Sequence, residues 1–147
     1  MMLLEQIEKD YINAMKTKND SVVSVLRMVK SALQNEKIKA GKELSNNDAI
    51  KIIQREIKQR KDSIENYQAG GRIELVKQEQ SEMEILEKYL PEQLSDKELT
   101  QIVRSAIQEV GATAISDLGK VMGKVMPQVA GRADGGQISA KVKELLS

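Results

Sequence analysis

Leu3, Ile7, Tyr11 and Ala14 or Met15 recur at three- and four-residue intervals, which predicts a first amphipathic helix over about residues 3–16. Asn19 and Asp20 interrupt it. Val22, Val25, Leu26, Val29, Ala32 and Leu33 carry a second helix over about 21–39, which turns polar and meets Gly41 as a left-handed cap. Ser45, with Asp48 three residues on, opens a third as a short capping box. Its stripe is Ile50, Ile53, Ile57, Ile64 and Tyr67, with Arg60 where one apolar residue is missing, and it stops at Gly70 and Gly71. At 1.5 Å per residue that helix is roughly 36 Å long. A fourth, over about 73–89, is apolar only toward its end, through Met83, Leu86 and Leu90, before Pro91 stops it. The glycine pair is then the bend of a long, partly solvent-exposed helical hairpin.

The pattern changes near residues 90–93, which predicts a boundary there. Ser95 and Glu98 form a capping box for a fifth helix, whose Leu99, Ile102, Val103, Ala106, Ile107 and Val110 end at Gly111. Ser116 is the expected cap of a sixth, bearing Ile115, Leu118, Val121, Met122 and Val125 and ended or bent at Pro127. Asp134 and Gln137 form a capping box for the last, with Ile138, Val142, Leu145 and Leu146. The expected fold is all-α: a long amino-terminal helical hairpin domain over 1–92, followed by a small three-helix carboxy-terminal tail bundle over 93–147.

Composition narrows the chemistry. With no Phe or Trp and only three Tyr, the core must be aliphatic. The absence of cysteine and histidine removes disulfides, thiolate and imidazole metal ligands, cysteine nucleophiles and a histidine general base. No apolar run approaches the roughly 18 residues that span a bilayer, and MMLLEQIEKD lacks a basic region followed by an apolar one. The expectation is a cytoplasmic protein with no membrane association, no metal and no cofactor.

The net charge of +1 hides a segregation. Residues 18–61 hold eleven Lys or Arg against five acids, residues 62–90 three against seven, 91–117 two against five, and 118–143 five against one. Antiparallel helices pairing opposite charges would use such alternation, and so would a polyanion site. Arg55, Lys58 and Lys61 lie at three-residue spacing on nearly one side of the third helix, a secondary basic face that suits either pairing within the hairpin or phosphate contact.

Glycines crowd the tail. A helical glycine costs about 0.5 to 1 kcal/mol relative to alanine, so Gly119 and Gly123, each followed by a lysine, need a reason. Four apart, they form a bare backbone ridge beside a charged one made by Lys120 and Lys124. GRADGG at 131–136 invites a phosphate-loop reading, but it lacks the GxxxxGK[ST] pattern and no strand precedes it. A tight turn with Asp134 as helix cap explains its glycines and leaves Arg132 over. Glu82, Glu84 and Glu87 are a solvated or salt-bridged strip, and Met122 and Met126 are packing residues. No catalytic constellation is present.

DLGKVMGKVMPQVAGRADGGQISAKVKELL at 117–146 resembles the signature of the GatB/YqeY family. LRMVKSALQNEKI at 26–38, EIKQRKDSIENYQAGGR at 56–72 and EILEKYLPEQLS at 84–95 extend the resemblance over the full length. The resemblance implies an all-helical, stand-alone relative of the helical and tail region of the GatB subunit of tRNA-dependent amidotransferases, where the tail holds the tRNA elbow away from the chemistry. GatB's catalytic domain and the glutamine-hydrolysing subunit have no counterpart in these 147 residues. The family's tail positions fall on Gly119, Lys120, Gly123, Lys124, Gly131 and Arg132, with Asp134 at a helix cap. GatB-type tails commonly carry lysine and asparagine where Arg132 and Asp134 stand. The expectation is a tRNA-binding or tRNA-associated protein that is not an enzyme on its own. Its rivals are an interaction adaptor for the translation machinery and an accessory component of a glutamine-dependent amidotransferase, a carbon–nitrogen ligase.

Overall fold

The computed structural model describes residues 2–147, and among them every regular element is helical. The chain divides into two compact units, one ending at Leu90 and the other spanning Pro91–Ser147.

The first unit contains α1 (Leu3–Lys16), α2 (Asp20–Ala40), α3 (Asn46–Ala69) and α4 (Ile73–Glu87). Ile7, Val25, Leu26, Val29, Ile53 and Leu86 are almost wholly excluded from water, so all four helices supply its core. Polar groups fix the register around it. Asn19 caps α2, Gly41 ends it at φ +68°, and the Ser45 and Asp48 box opens α3. The Leu3 N–H donates to the Asn46 side-chain oxygen at 2.8 Å, and the Tyr89 hydroxyl donates to Asp10 at 2.6 Å. Lys30 lies 4.1 Å from the Tyr11 ring centre and 2.8 Å from Glu8.

α3 and α4 pack along each other, joined by a turn in which Gly71 takes φ +69° and the Arg72 N–H donates to Tyr67 O at 2.8 Å. Arg60, the gap in the apolar stripe, is 4% exposed and lies inside this unit. Its guanidinium donates to the Glu56 carboxylate at 3.1 Å and to the Glu56 carbonyl at 3.0 Å, and it stands 3.9 Å from Glu82 on α4. A second nitrogen meets the Met28 sulfur at 3.8 Å. Burial pushes the Glu82 carboxyl above the usual range, while Arg60 pulls it back.

The second unit contains α5 (Asp96–Val110), a short 3-10 turn (Ile115–Asp117), α6 (Leu118–Val129) and α7 (Gly135–Leu146). Its core is Leu99, Val103 and Ala106 from α5, Val121, Val125 and Val129 from α6, and Ile138 and Val142 from α7. The Ser95 and Glu98 box starts α5, Gly111 at φ +69° ends it, and the Asp134 and Gln137 box starts α7.

Two expectations about α6 are corrected. Ser116 is not its cap: it lies exposed within the 3-10 turn, while the Asp117 carboxylate accepts from the Thr113 and Ala114 N–H groups at 3.0 and 3.3 Å. Those bonds hold the Asp117 carboxyl below its usual range. Pro127 does not end the helix, which runs on to Val129. A proline deprives only the carbonyl four residues back of its donor, here that of exposed Gly123, and the fully buried Val129 holds the last turn against the core.

Candidate nucleic-acid interface

α6 presents two opposite faces because its valines recur at 121, 125 and 129 while its glycines fall at 119 and 123. Packing fixes the valine side. Beyond its own helix backbone, a β-carbon built on Gly119 or Gly123 would meet nothing within 4 Å among the described residues, so packing among them requires neither glycine. The resulting ridge continues into exposed Pro127 and carries no flexible side chain.

Lys120 and Lys124 line one flank. Lys120 is well exposed and 4.0 Å from Asp117, and Lys124 contacts Glu109 at 2.8 Å. Both pairs are open to solvent and hold their partners by about 1 kcal/mol or less. Met126 and half-buried Met122 form the opposite flank.

Gly131 and Arg132 have work inside the fold. Ala130 and Gly131 take φ +35° and +87°, the left-handed backbone that reverses the chain between α6 and α7. The Gly131 carbonyl accepts from the Gln93 side chain at 3.0 Å. Arg132 donates through Nε to the Glu92 carbonyl at 3.0 Å and stands 3.9 Å from Glu98, while its own carbonyl accepts from the Leu94 N–H at 2.8 Å. These contacts clamp residues 92–94 onto the α6–α7 turn. Asp134 is occupied as the α7 cap, accepting from the Gln137 N–H at 2.8 Å.

The secondary face lies in the first unit. Arg55, Lys58 and Lys61 are exposed on α3, on the side away from buried Ile53, Ile57 and Arg60. The structure thus groups Gly119, Lys120, Gly123 and Lys124 on one helix surface, turns Gly131 and Arg132 to a structural use, and leaves Arg55, Lys58 and Lys61 on the other unit.

Two charged groups have a role that the sequence pattern does not disclose. Arg60 shows in the sequence only as a gap in the apolar stripe, and its four-residue spacing from Glu56 is the signal of its pairing. Lys141 is the other. Its nitrogen lies 2.7 Å from Asp96 and 3.3 Å from Glu144, hydrogen bonds that push the amine above its usual range. It therefore ties α7 to the start of α5. Among the described residues, no group of three or more His, Cys, Asp or Glu side chains could hold a metal ion.

A family model described as Yqey-like protein matches residues 4–146. The chain is 30% identical over 149 aligned positions to altered inheritance of mitochondria protein 41, mitochondrial, of Pyrenophora tritici-repentis, covering 99% of this chain and 81% of that one. The protein of the same name in Clavispora lusitaniae is 28% identical over 130 positions, covering 86% and 74%. Its namesake in Lachancea thermotolerans is 38% identical over 85 positions, 57% of this chain and 46% of that protein.

These names overturn the cytoplasmic expectation, because the relatives are named as mitochondrial. No helix among the described residues is long and apolar enough to cross a membrane. That feature concerns membrane spans and does not address entry into mitochondria.

Proposed function

The chain belongs to the YqeY-like family, and on that premise we propose that it is a non-catalytic tRNA-binding or tRNA-associated protein. In this reading a long helical hairpin is followed by a three-helix tail, and the tail meets folded RNA as the similar region of GatB does. The observation that carries it is the open space over Gly119 and Gly123. Two helical glycines that packing among the described residues does not require, at about 0.5 to 1 kcal/mol each, fit a surface that another backbone approaches closely. Lys120 and Lys124 supply the phosphate neutralisation beside it. The recognition is of shape and backbone: the second unit has no aromatic side chain on which a base could stack.

Filter binding of total tRNA across a salt series tests this. Affinity falls steeply with salt, and Gly119→Ala with Gly123→Ala weakens binding while leaving the fold intact. Wild-type affinity in that double variant removes the ridge from the interface, and an absence of salt-sensitive tRNA binding by the wild type defeats the proposal.

One observation favours a protein partner instead. Lys120, Lys124 and Arg132 each already have an acidic neighbour, and Met126 is exposed beside the ridge, as suits a partner helix seated on small residues. In that reading the chain is an adaptor for the translation machinery or for an amidotransferase. Pull-down from nuclease-treated lysate separates the two: a partner retained through the ridge and lost in the glycine variants supports the adaptor.

A further inference from the structure

We infer that a second phosphate-binding site, independent of the tail, lies in the cleft between the end of α2 and the first half of α3, and that it takes the phosphodiester backbone of RNA. Lys42, Lys51 and Arg55 line this cleft above Leu44 and Ile52. Lys58 continues the row, so that Lys51, Arg55 and Lys58 stand at steps of four and three along α3. Those steps rise about 6 and 4.5 Å, so successive cations can meet successive phosphates of one strand.

The decisive contrast is with the tail. Lys51, Arg55 and Lys58 are exposed and close no ion pair among the described residues, whereas Lys124 is 2.8 Å from Glu109 and Arg132 is held by Glu92 and Glu98. The α3 cations therefore give their charge to a ligand without first leaving a partner. Two acids share the cleft, Glu36 and Asp48. Asp48 is engaged: its carboxylate accepts from the Ser45 N–H at 3.0 Å, and that capping, helped by Lys42 and Lys51, holds it below its usual range. Asp62 and Glu65 stand on the same side of α3 beyond Lys58 and close the row, which limits it to two or three phosphates. The face carries no aromatic side chain, so it holds backbone and leaves bases unread. The choice of RNA among polyanions rests on the proposed function.

Lysine acetylation footprinting of the full chain, with total tRNA and separately with polyglutamate, tests the site. The expected result is several-fold protection of Lys42, Lys51 and Lys58 by tRNA and none by polyglutamate. Protection confined to Lys120 and Lys124 overturns the cleft while leaving the tail reading standing. Protection confined to the cleft supports it and removes the tail from the interface. Equal protection by polyglutamate makes the face a dock for acidic protein and overturns the assignment to RNA. As a second measure, Lys51→Glu, Arg55→Glu and Lys58→Glu together flatten the salt dependence of tRNA binding by about two to three in log–log slope, at unchanged helicity. An unchanged slope in that correctly folded variant overturns the inference.

Discussion

Arg132 reaches back forty positions to hydrogen-bond the Glu92 carbonyl at 3.0 Å. The residue that the sequence offered as a free phosphate ligand is thus a clamp on the entry to its own unit. Replacing it removes a charge-assisted hydrogen bond and the nearby Glu98 contact, so Arg132→Ala lowers stability by about 1 to 2 kcal/mol, measured by urea denaturation. The decrease occurs with no RNA present. For that reason Lys120→Ala with Lys124→Ala, which breaks only exposed pairs, is the cleaner test of phosphate contact.

The glycine ridge predicts opposite signs for stability and binding. Gly119→Ala and Gly123→Ala each raise stability by about 0.5 to 1 kcal/mol, because the new methyl meets open space and the helix gains propensity. The same substitutions weaken tRNA binding. A double variant that is both more stable and binds as wild type shows that the ridge has no RNA partner.

Arg60 is a buried charge whose loss the first unit cannot absorb cheaply. Arg60→Ala leaves Glu56 and Glu82 without their shared cation in a largely dry interior, at about 3 to 5 kcal/mol. Arg60→Met, with Glu56→Gln and Glu82→Gln, recovers most of that, since it removes the charges together. Thermal unfolding of the two variants checks the order.

Acid exposes the helix caps. Hydrogen bonds to Ser45, Ser95 and the Thr113 and Ala114 amides hold Asp48, Glu98 and Asp117 below their ordinary values of 3.8, 4.5 and 3.8. Carboxyls lowered in the fold stabilise it above those ordinary values, and the contribution disappears as pH falls through the still lower folded values. Ser95→Ala removes the hydroxyl, the largest cause of the Glu98 shift, and keeps the residue-95 N–H, so the Glu98 share shrinks and the melting temperature depends less steeply on pH below about 4.5 than that of the wild type.

Local rules explain what the sequence disclosed. The Ser45–Asp48, Ser95–Glu98 and Asp134–Gln137 boxes each lie within one turn, and Gly41 and Gly111 end helices by their own backbone freedom. Ser116 misleads because a hydroxyl before an apolar run is the usual cap, whereas the Asp117 carboxylate reaches backward to the Thr113 and Ala114 amides of the preceding loop. Arg60 showed as a gap in a stripe, but Glu82 becomes its neighbour only when α4 folds back. The pairing of the tail cations was hidden for the same reason: Glu109 meets Lys124, and Glu98 meets Arg132, across helices. Free and occupied charges look alike in a string of letters.

The one-sided packing of α6 has a consequence for when the surface exists at all. A twelve-residue helix with two glycines and an internal proline is too weak to persist in isolation, and Val121, Val125 and Val129 hold it only through the assembled core. The ridge therefore exists only while its unit is folded: loosening Ile138 or Val142 on α7 would erase a surface to which neither contributes an atom.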